Sequence, residues 1–289
     1  MVCVRKRVNL GPILIAPGFI FIFMFLIFPI FFALGLSLFK TNYLQIQGFA
    51  GFENFFKVLN REVTVNSIWL GLFMSLVSAG LTMFIGFWLA YWVDSRSGIY
   101  ALALQLIGLI PWVMSMVVGS LLWKWIFAGD LGLLNYLFRS LGLPTVNALG
   151  SKTSAMISLI FVVSWRTVGY SMVMLLAGMK TVPKELIEAS MVDGAGVTRR
   201  IIHVILPLIK TPLLVSGITV LMSNVNNVTV PMILTGGGPV NATNVVALEL
   251  YRMGFVNSQY GMASALATIV IIINVFLIAG YLRVVKWRF

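Results

Sequence analysis

Glu188-Ala189-Ser190-Met191-Val192-Asp193-Gly194-Ala195-Gly196, running on to Leu206-Pro207, is a charged, glycine-punctuated island between two long apolar runs. A chain that commits its mass to lipid yet keeps one ordered polar segment offers that segment to a soluble partner. Outside the island the composition is that of a membrane protein. The 289 residues are 60% hydrophobic and only 10% charged, against about 25% charged in a soluble domain. Several apolar runs exceed the ~18 residues that mark a spanning helix. The net charge of +12 raises nucleic acid as a partner, but lysine and arginine retained in cytoplasmic loops account for it better. Cys3 is the single cysteine, so no intramolecular disulfide forms. Arg5, Lys6 and Arg7 precede an apolar run too long for a signal-peptide core, which reads as an uncleaved first helix.

Working outward, the hydropathy predicts an all-α integral membrane fold with six transmembrane helices, at about 12–36, 66–93, 99–128, 153–179, 211–234 and 260–285. Pro17 and Pro29 fall inside the first and Pro111 interrupts the third. Residues 51–59 alternate aromatic and polar groups as a short interfacial helix does. Trp123-Lys124-Trp125 reads as an aromatic belt at a membrane face, with Lys124 snorkelling. Six spans put both termini on one side. Twelve basic residues (Arg5, Lys6, Arg7, Arg96, Lys180, Lys184, Arg199, Arg200, Lys210, Arg283, Lys286, Arg288) share the side of the island, against six (Lys40, Lys57, Arg61, Arg139, Lys152, Arg252) opposite. The termini and the island are therefore expected in the cytoplasm. The domain reading is an N-terminal tail, first helix and extracytoplasmic connection over 1–65, a five-helix body over 66–285 holding a hairpin at 180–207, and a tail at 286–289.

Within the island, Pro183 fits a first helical turn and Thr181 or its neighbour its cap. A helix over 183–192, glycines at 194 and 196 free to take positive φ, and a second helix over 197–206 ended or kinked by Pro207 make a helical hairpin between the fourth and fifth spans. Leu186 with Ala189 and Ser190 gives a small, apolar face, flanked by Glu185, Glu188, Arg199 and Arg200. A face of that kind sits in a groove of a soluble protein; equally, the hairpin is a plain connection. Both readings stay open on physics alone.

Polar groups at membrane depth are the other signal. Arg166 lies near the middle of the fourth span, where a charge costs at least ~2.5 kcal/mol and so faces the bundle or a wet cavity. It is either structural or a lining of the substrate path. The fifth span carries Ser216, Ser223, Asn224, Asn226, Asn227 and Thr229, readable as interhelical hydrogen bonds or as a lining for a polyhydroxylated solute, since an asparagine both donates and accepts. Tyr170 and Trp112 offer stacking faces. His203 has no second histidine or nearby cysteine with which to build a metal site.

The island resembles the EAA motif of the membrane (permease) subunits of binding-protein-dependent ABC importers: Glu-Ala-Ala, three residues, Gly, nine residues, then Ile, any residue, Leu-Pro. Here Glu188-Ala189-Ser190, Gly194 and Val204-Ile205-Leu206-Pro207 keep that spacing, with Ser190 for the second alanine and Val204 for the isoleucine. Asp193 and Ala195 match the common Asp-Gly-Ala form. Pro111-Trp112, Trp123–Phe127, Gly132–Asn135, Trp165-Arg166, Leu234–Pro239 and Tyr251-Arg252 resemble the carbohydrate branch, and Thr235-Gly236-Gly237-Gly238-Pro239 the first of the two unlike permeases in maltose and glycerol-3-phosphate systems.

The resemblance implies a multi-pass subunit of a bacterial or archaeal cytoplasmic membrane that imports a sugar, oligosaccharide or polyol derivative by alternating access. It implies heterodimerisation with a second permease, two ATPase subunits and an extracytoplasmic solute-binding protein. The hairpin becomes the coupling helix in an ATPase cleft, carried by Glu185, Glu188, Ala189, Ser190, Asp193, Gly194, Ala195, Leu206 and Pro207. Gly236, Gly237, Gly238 and Pro239 fall near where the binding protein docks, and Asn224, Asn226, Asn227, Arg166, Tyr170 and Trp112 are the substrate-path candidates. The chain is expected to be no enzyme and to bind no cofactor, metal or nucleic acid, with ATP and Mg used by the ATPase partners; no Gly-x-x-x-x-Gly-Lys-Ser/Thr loop occurs in it. The alternative is a stand-alone secondary carrier or channel, against which stands the scarcity of mid-span carboxylates.

Overall fold

The computed structural model describes residues 10–43 and 45–288; Cys3, Arg5, Lys6, Arg7 and Phe289 lie outside the described residues. The chain divides into two compact units, one of residues up to Asn60 with Arg252–Val270, the other of Arg61–Tyr251 with Ile271 onward.

In the first unit, α1 (Leu10–Ile22) passes through a π-helical turn, Phe23–Ile27, into α2 (Phe28–Leu36) without breaking. The wide turn has a local cause. Pro29 has no N–H to donate, and its ring crowds the carbonyl four residues back. The preceding bond shifts to Phe28 N–H onto the Phe23 carbonyl, which opens the turn. The connection that follows is not all irregular, and the fold is not purely α: β1 (Phe39–Asn42) and β2 (Gln45–Phe49) pair antiparallel with a bulge between Lys40 and Thr41. The expected short helix is α3 (Glu53–Leu59). Asn54 Nδ2 donates to the Ser37 and Phe39 carbonyls, both at 2.8 Å, so the helix closes the hairpin onto the end of α2. Thr41 Oγ1 accepts from Gly261 N–H at 2.8 Å, at the start of the last helix (Tyr260–Arg288).

The second unit is built on two long helices, α4 (Glu62–Asp94) and α8 (Lys152–Met179), packed side by side and running the same way. Between them in sequence lie α5 (Ile99–Val113), α6 (Met116–Ile126) and α7 (Leu133–Ser140). After α8 come α9 (Lys184–Val192), α10 (Val197–Arg200), a π turn at Ile201–Ile205, α11 (Leu206–Leu208), α12 (Lys210–Val225), α13 (Thr229–Leu234) and α14 (Val246–Tyr251). The last helix, α15, runs to Arg288, so Lys286 and Trp287 continue it.

Among the described residues four helices are long and apolar enough to cross a membrane: Leu14–Leu36, Glu62–Asp94, Lys152–Met179 and Tyr260–Val284. The third expected span is a bent pair, and the start of the fifth bends against the second helix of the expected hairpin. Ile99–Val113 meets Met116–Ile126 at 97°, and Val197–Leu208 meets Lys210–Val225 at 80°. The first bend sits past Pro111, because Met114 N–H still bonds the Ile110 carbonyl and the helix stops only afterwards. The fifth run is further cut at Asn226–Val228, so 211–234 is not one helix.

Among the described residues two apolar clusters hold this unit. Met74, Leu159, Val162, Val163, Val230, Leu234 and Leu248 fill one end; Ala90, Val93, Met172, Leu175, Met179, Ile201, Ile205 and Ile209 fill the other. The buried residues between them are mostly small hydroxyls. Thr82 Oγ1 and Thr167 Oγ1 lie 2.9 Å apart, and Ser164 Oγ donates to the Ser78 carbonyl at 3.3 Å. Small residues let the α4 and α8 backbones approach closely, the packing that works when lipid supplies no hydrophobic drive between helices. Gly86 shows how close: a Cβ there would lie 2.6 Å from Ser171 Oγ and 3.2 Å from the Met172 nitrogen.

Candidate functional site

The island folds as a helical hairpin. α9 starts at Lys184 with Pro183 extended in the cap position, and Thr181 does not cap it: its hydroxyl donates to the Gly178 carbonyl at 2.7 Å, closing α8 instead. At the other end Gly194 takes φ +76°, its N–H bonds the Met191 carbonyl at 3.0 Å and Ala195 N–H reaches the Ser190 carbonyl at 2.9 Å. That pair of bonds is a Schellman motif, which places a left-handed residue after the helix and so selects glycine. Gly196 has φ −65° and ψ 167°, not positive φ; it is extended.

The hairpin has a rooted side and an open side. Ile201, Ile205 and Ile209 bury into the cluster with Ala90 and Val93, and Val182 joins them. Lys180 Nζ meets Asp94 Oδ1 at 2.7 Å, pinning the end of α8 to the end of α4. Glu185, Leu186, Glu188, Ala189, Asp193 and Gly194 are exposed; Ser190, Ala195, Leu206 and Pro207 are half-buried. Ser190 Oγ donates back to the Ile187 carbonyl at 2.6 Å, so its polar group is absorbed within the helix. A second π turn, Ile201–Ile205, ends two residues before Pro207, repeating the arrangement before Pro29. The kink that proline was expected to make falls at Ile209. His203 Nδ1 lies 3.1 Å from the Arg199 carbonyl on the exposed surface.

The groups at membrane depth separate into two sets. Trp112 and Tyr170 have ring centroids 5.5 Å apart, one turn along α8 from Arg166. Arg166 is half-buried, and its Nε is enclosed without a hydrogen-bond partner. The three asparagines do three different things. Asn224 is fully buried and its Nδ2 donates to Ser78 Oγ at 2.9 Å, with Oδ1 left without a donor. Asn226 is exposed and donates to the Met222 carbonyl at 2.8 Å. Asn227 Oδ1 accepts from Val230 N–H at 3.1 Å, satisfying a free donor of the first turn of α13. Among the described residues no hydrogen bond joins Arg166 to any of them. Trp125 and Lys124 are exposed, as a belt requires, but Trp123 turns inward, 4.8 Å from Phe161 and 5.4 Å from Trp165.

Gly236 (φ +57°) and Gly237 (φ +82°) turn the chain after α13. Two threonines hold this loop. Thr243 is fully buried, with Oγ1 2.7 Å from Thr235 Oγ1 and 2.6 Å from the Gly238 carbonyl, and Thr235 Oγ1 accepts from Gly237 N–H at 3.2 Å. The same region buries Glu249, whose Oε2 accepts from Asn244 Nδ2 at 2.7 Å. Thr243 and Glu249 were legible only as polar residues in a polar connection.

A family model of binding-protein-dependent transport system inner membrane components matches residues 9–288. The chain belongs to this family. It is an inner-membrane transport component rather than an enzyme. Among its relatives, the trehalose/maltose transport system permease protein of Thermococcus litoralis is 28% identical, over 98% of this chain and 96% of that one. A probable ABC transporter permease protein of Bacillus subtilis is 31% identical over 91% of each chain. The sn-glycerol-3-phosphate transport system permease protein of Pectobacterium atrosepticum is 30% identical over 96% of this chain and 92% of that one. In fold the permease is similar to a chain in the crystal structure of a bacterial ABC transporter involved in import of the acidic polysaccharide alginate. That similarity has a TM-score of 0.82 at 21% identity, over 95% of this chain and 94% of the other.

Proposed function

We propose that this permease is one transmembrane subunit of an ATP-driven importer of a sugar, oligosaccharide or polyol derivative. It pairs with a second permease, two ATPase subunits and an extracytoplasmic solute-binding protein. In this reading the six spans are the four long helices, the bent pair 99–126, and α12 with α13, and both termini lie in the cytoplasm. The observation that carries the reading is the hairpin of α9 and α10. Glu188 and Ala189 stand exposed on a helix closed by a Schellman glycine, while the hairpin's other side is buried in the core where α4 and α8 end. An exposed, ordered element rooted in the bundle transmits movement, which a loose connection does not. The ATPase cleft receives α9, ATP binding favours the outward-open bundle, and hydrolysis resets it.

The printed names of the relatives, which concern trehalose/maltose and glycerol-3-phosphate, support a carbohydrate-type cargo. Asn224 Oδ1, an acceptor without a donor, and the Trp112–Tyr170 ring pair support a path for hydroxyl-rich solutes along α8 and α12. The loop at Gly236–Pro239 faces the binding protein in this reading. Gly194→Asp and Glu188→Lys test it in the reconstituted transporter. Both are expected to abolish transport and cargo-stimulated ATP hydrolysis; unchanged values in both would overturn the coupling role. Transport by the chain alone, with no ATPase recovered through it, would favour a secondary carrier or channel.

A further inference from the structure

The short helix α7 is built inside out. Asn135 is its buried residue, and its amide is taken up by the backbone on both sides. Nδ2 donates to the Gly129 and Val146 carbonyls, both at 2.9 Å, and Oδ1 accepts from Val146 N–H at 2.8 Å. The opposite arc holds Leu133, Tyr136, Leu137 and Ser140, neighbours at three- and four-residue spacing. Tyr136 is 68% exposed, Leu137 48%, and Leu141, just past the helix, 72%. Ser140 Oγ donates back to the Leu137 carbonyl at 2.8 Å, and Arg139, at the rim, is bound to Asp130 at 2.9 Å. A helix that hides its amide and shows its leucines reverses the pattern that water selects.

Hydrogen bonds also fix the depth of this face. α8 has 28 residues, about 42 Å at 1.5 Å per residue. Centred in the bilayer, it covers the ~30 Å hydrocarbon core and about 6 Å beyond each edge. Ser158 stands about 9 Å along α8 from Lys152, close to the hydrocarbon edge. Its Oγ donates to the Ala148 carbonyl at 2.9 Å, and Ser154 Oγ, one turn earlier, donates to the Asn147 carbonyl at 3.0 Å. Val146, which holds α7 through Asn135, is the next residue back. With 8 residues α7 is only about 12 Å long, so its whole length stays near the boundary between headgroups and acyl chains. A soluble protein docks above that level. Trp125 and Lys124, both exposed at the end of α6, supply the aromatic and cationic groups that favour the same layer. We propose that α7 is an interfacial helix, with Leu133, Tyr136, Leu137 and Leu141 set among the upper acyl groups of the phospholipid at the membrane face where α8 begins. The proposal rests on α8 as a span and is independent of the cargo and of the hairpin's role.

The test is the depth of a nitroxide label on Leu137→Cys or Leu141→Cys, each combined with Cys3→Ser, in the whole transporter reconstituted in phospholipid nanodiscs. Collisions with oxygen, which concentrates in lipid, are compared with collisions with a water-soluble nickel chelate, and calibrated with phospholipids labelled at known depths. Both labels are expected to favour oxygen and to read about 5–10 Å into the boundary layer. A photo-crosslinking side chain in place of Tyr136 is expected to capture phospholipid. All three positions are exposed, so the substitutions leave the Asn135 hydrogen bonds in place. Labels that favour the nickel chelate would put the face in water and overturn the proposal. Labels that neither reagent reaches, or a crosslink from position 136 to another subunit, would put the face under protein and overturn it equally.

Discussion

Gly194 and Gly196 are two residues apart and look alike in the sequence, yet only Gly194 lies at a left-handed φ. Placing a Cβ in that region costs roughly 1–2 kcal/mol. Gly194→Ala is therefore expected to loosen the end of α9 by about that amount, read as faster amide exchange at Gly194 and Ala195. Gly196→Ala, extended and with open space around it, is expected to be near neutral. The motif spacing made Gly194 legible, since the Schellman bonds need a left-handed residue directly after the helix. The asparagines were less legible. Composition supplied an inventory of donors and acceptors, but only the packing of α12 against α4 decides that Asn224 meets Ser78 while Asn226 turns back on its own helix. Asn224→Ala removes one interhelical hydrogen bond, expected to cost about 0.6–1.7 kcal/mol in a bilayer. A larger loss of transport than of thermal stability would assign Asn224 to the substrate path as well.

The outer ends of the long apolar runs followed from hydropathy within a few residues, because such runs end where charges begin. Irregularities inside them did not, since a π turn changes one hydrogen bond and no side-chain type. The π turns at Phe23–Ile27 and Ile201–Ile205 each end two residues before a proline, whose ring crowds the earlier carbonyl, whereas the π turn at Arg252–Val256 is followed by Ser258 at that place, so proline is one cause and not a rule. The β1–β2 hairpin was hidden in a polar connection too short for periodicity to speak. Its junction with α3 carries a titratable lock: Glu53 bridges Lys40 at 2.7 Å and Lys57 at 2.9 Å. Hydrogen bonding to Lys40, then to Lys57, holds the Glu53 carboxyl below its ordinary range. A lowered folded pKa means the contribution is complete above the unfolded value, about 4.3, and is lost as pH falls through the folded one. Amide protection in Phe39–Leu59 is expected to stay level from neutral pH down to that range and to weaken below it. In Glu53→Gln the same profile is expected to be flat.

At the scale of the molecule, a hydroxyl-rich stretch of α4 and α8 lies between the two apolar clusters described for the second unit, and the buried isoleucines of the hairpin belong to the one that holds Ala90 and Val93. Force applied to α9 has a short route into the bundle: Ile201, Ile205 and Ile209 press on Ala90, Val93, Met172 and Leu175. In the proposed coupling role this route separates two kinds of damage, each of which lowers transport. Leu186→Ala trims an exposed side chain, so thermal stability is expected to hold while recovery of ATPase subunits through this chain falls. Ile205→Ala leaves the outer face intact but opens a cavity beneath it, at a cost of about 2–4 kcal/mol. The ATPase subunits are then expected to remain bound and to hydrolyse ATP at the basal rate, with transport per ATP reduced because the hairpin moves without carrying α4 and α8. The two readouts, subunit recovery and transport per ATP, are expected to cross over between the variants. If Ile205→Ala instead lost the ATPase subunits as Leu186→Ala does, the hairpin would be a docking site alone, and the conformational signal would enter the bundle elsewhere.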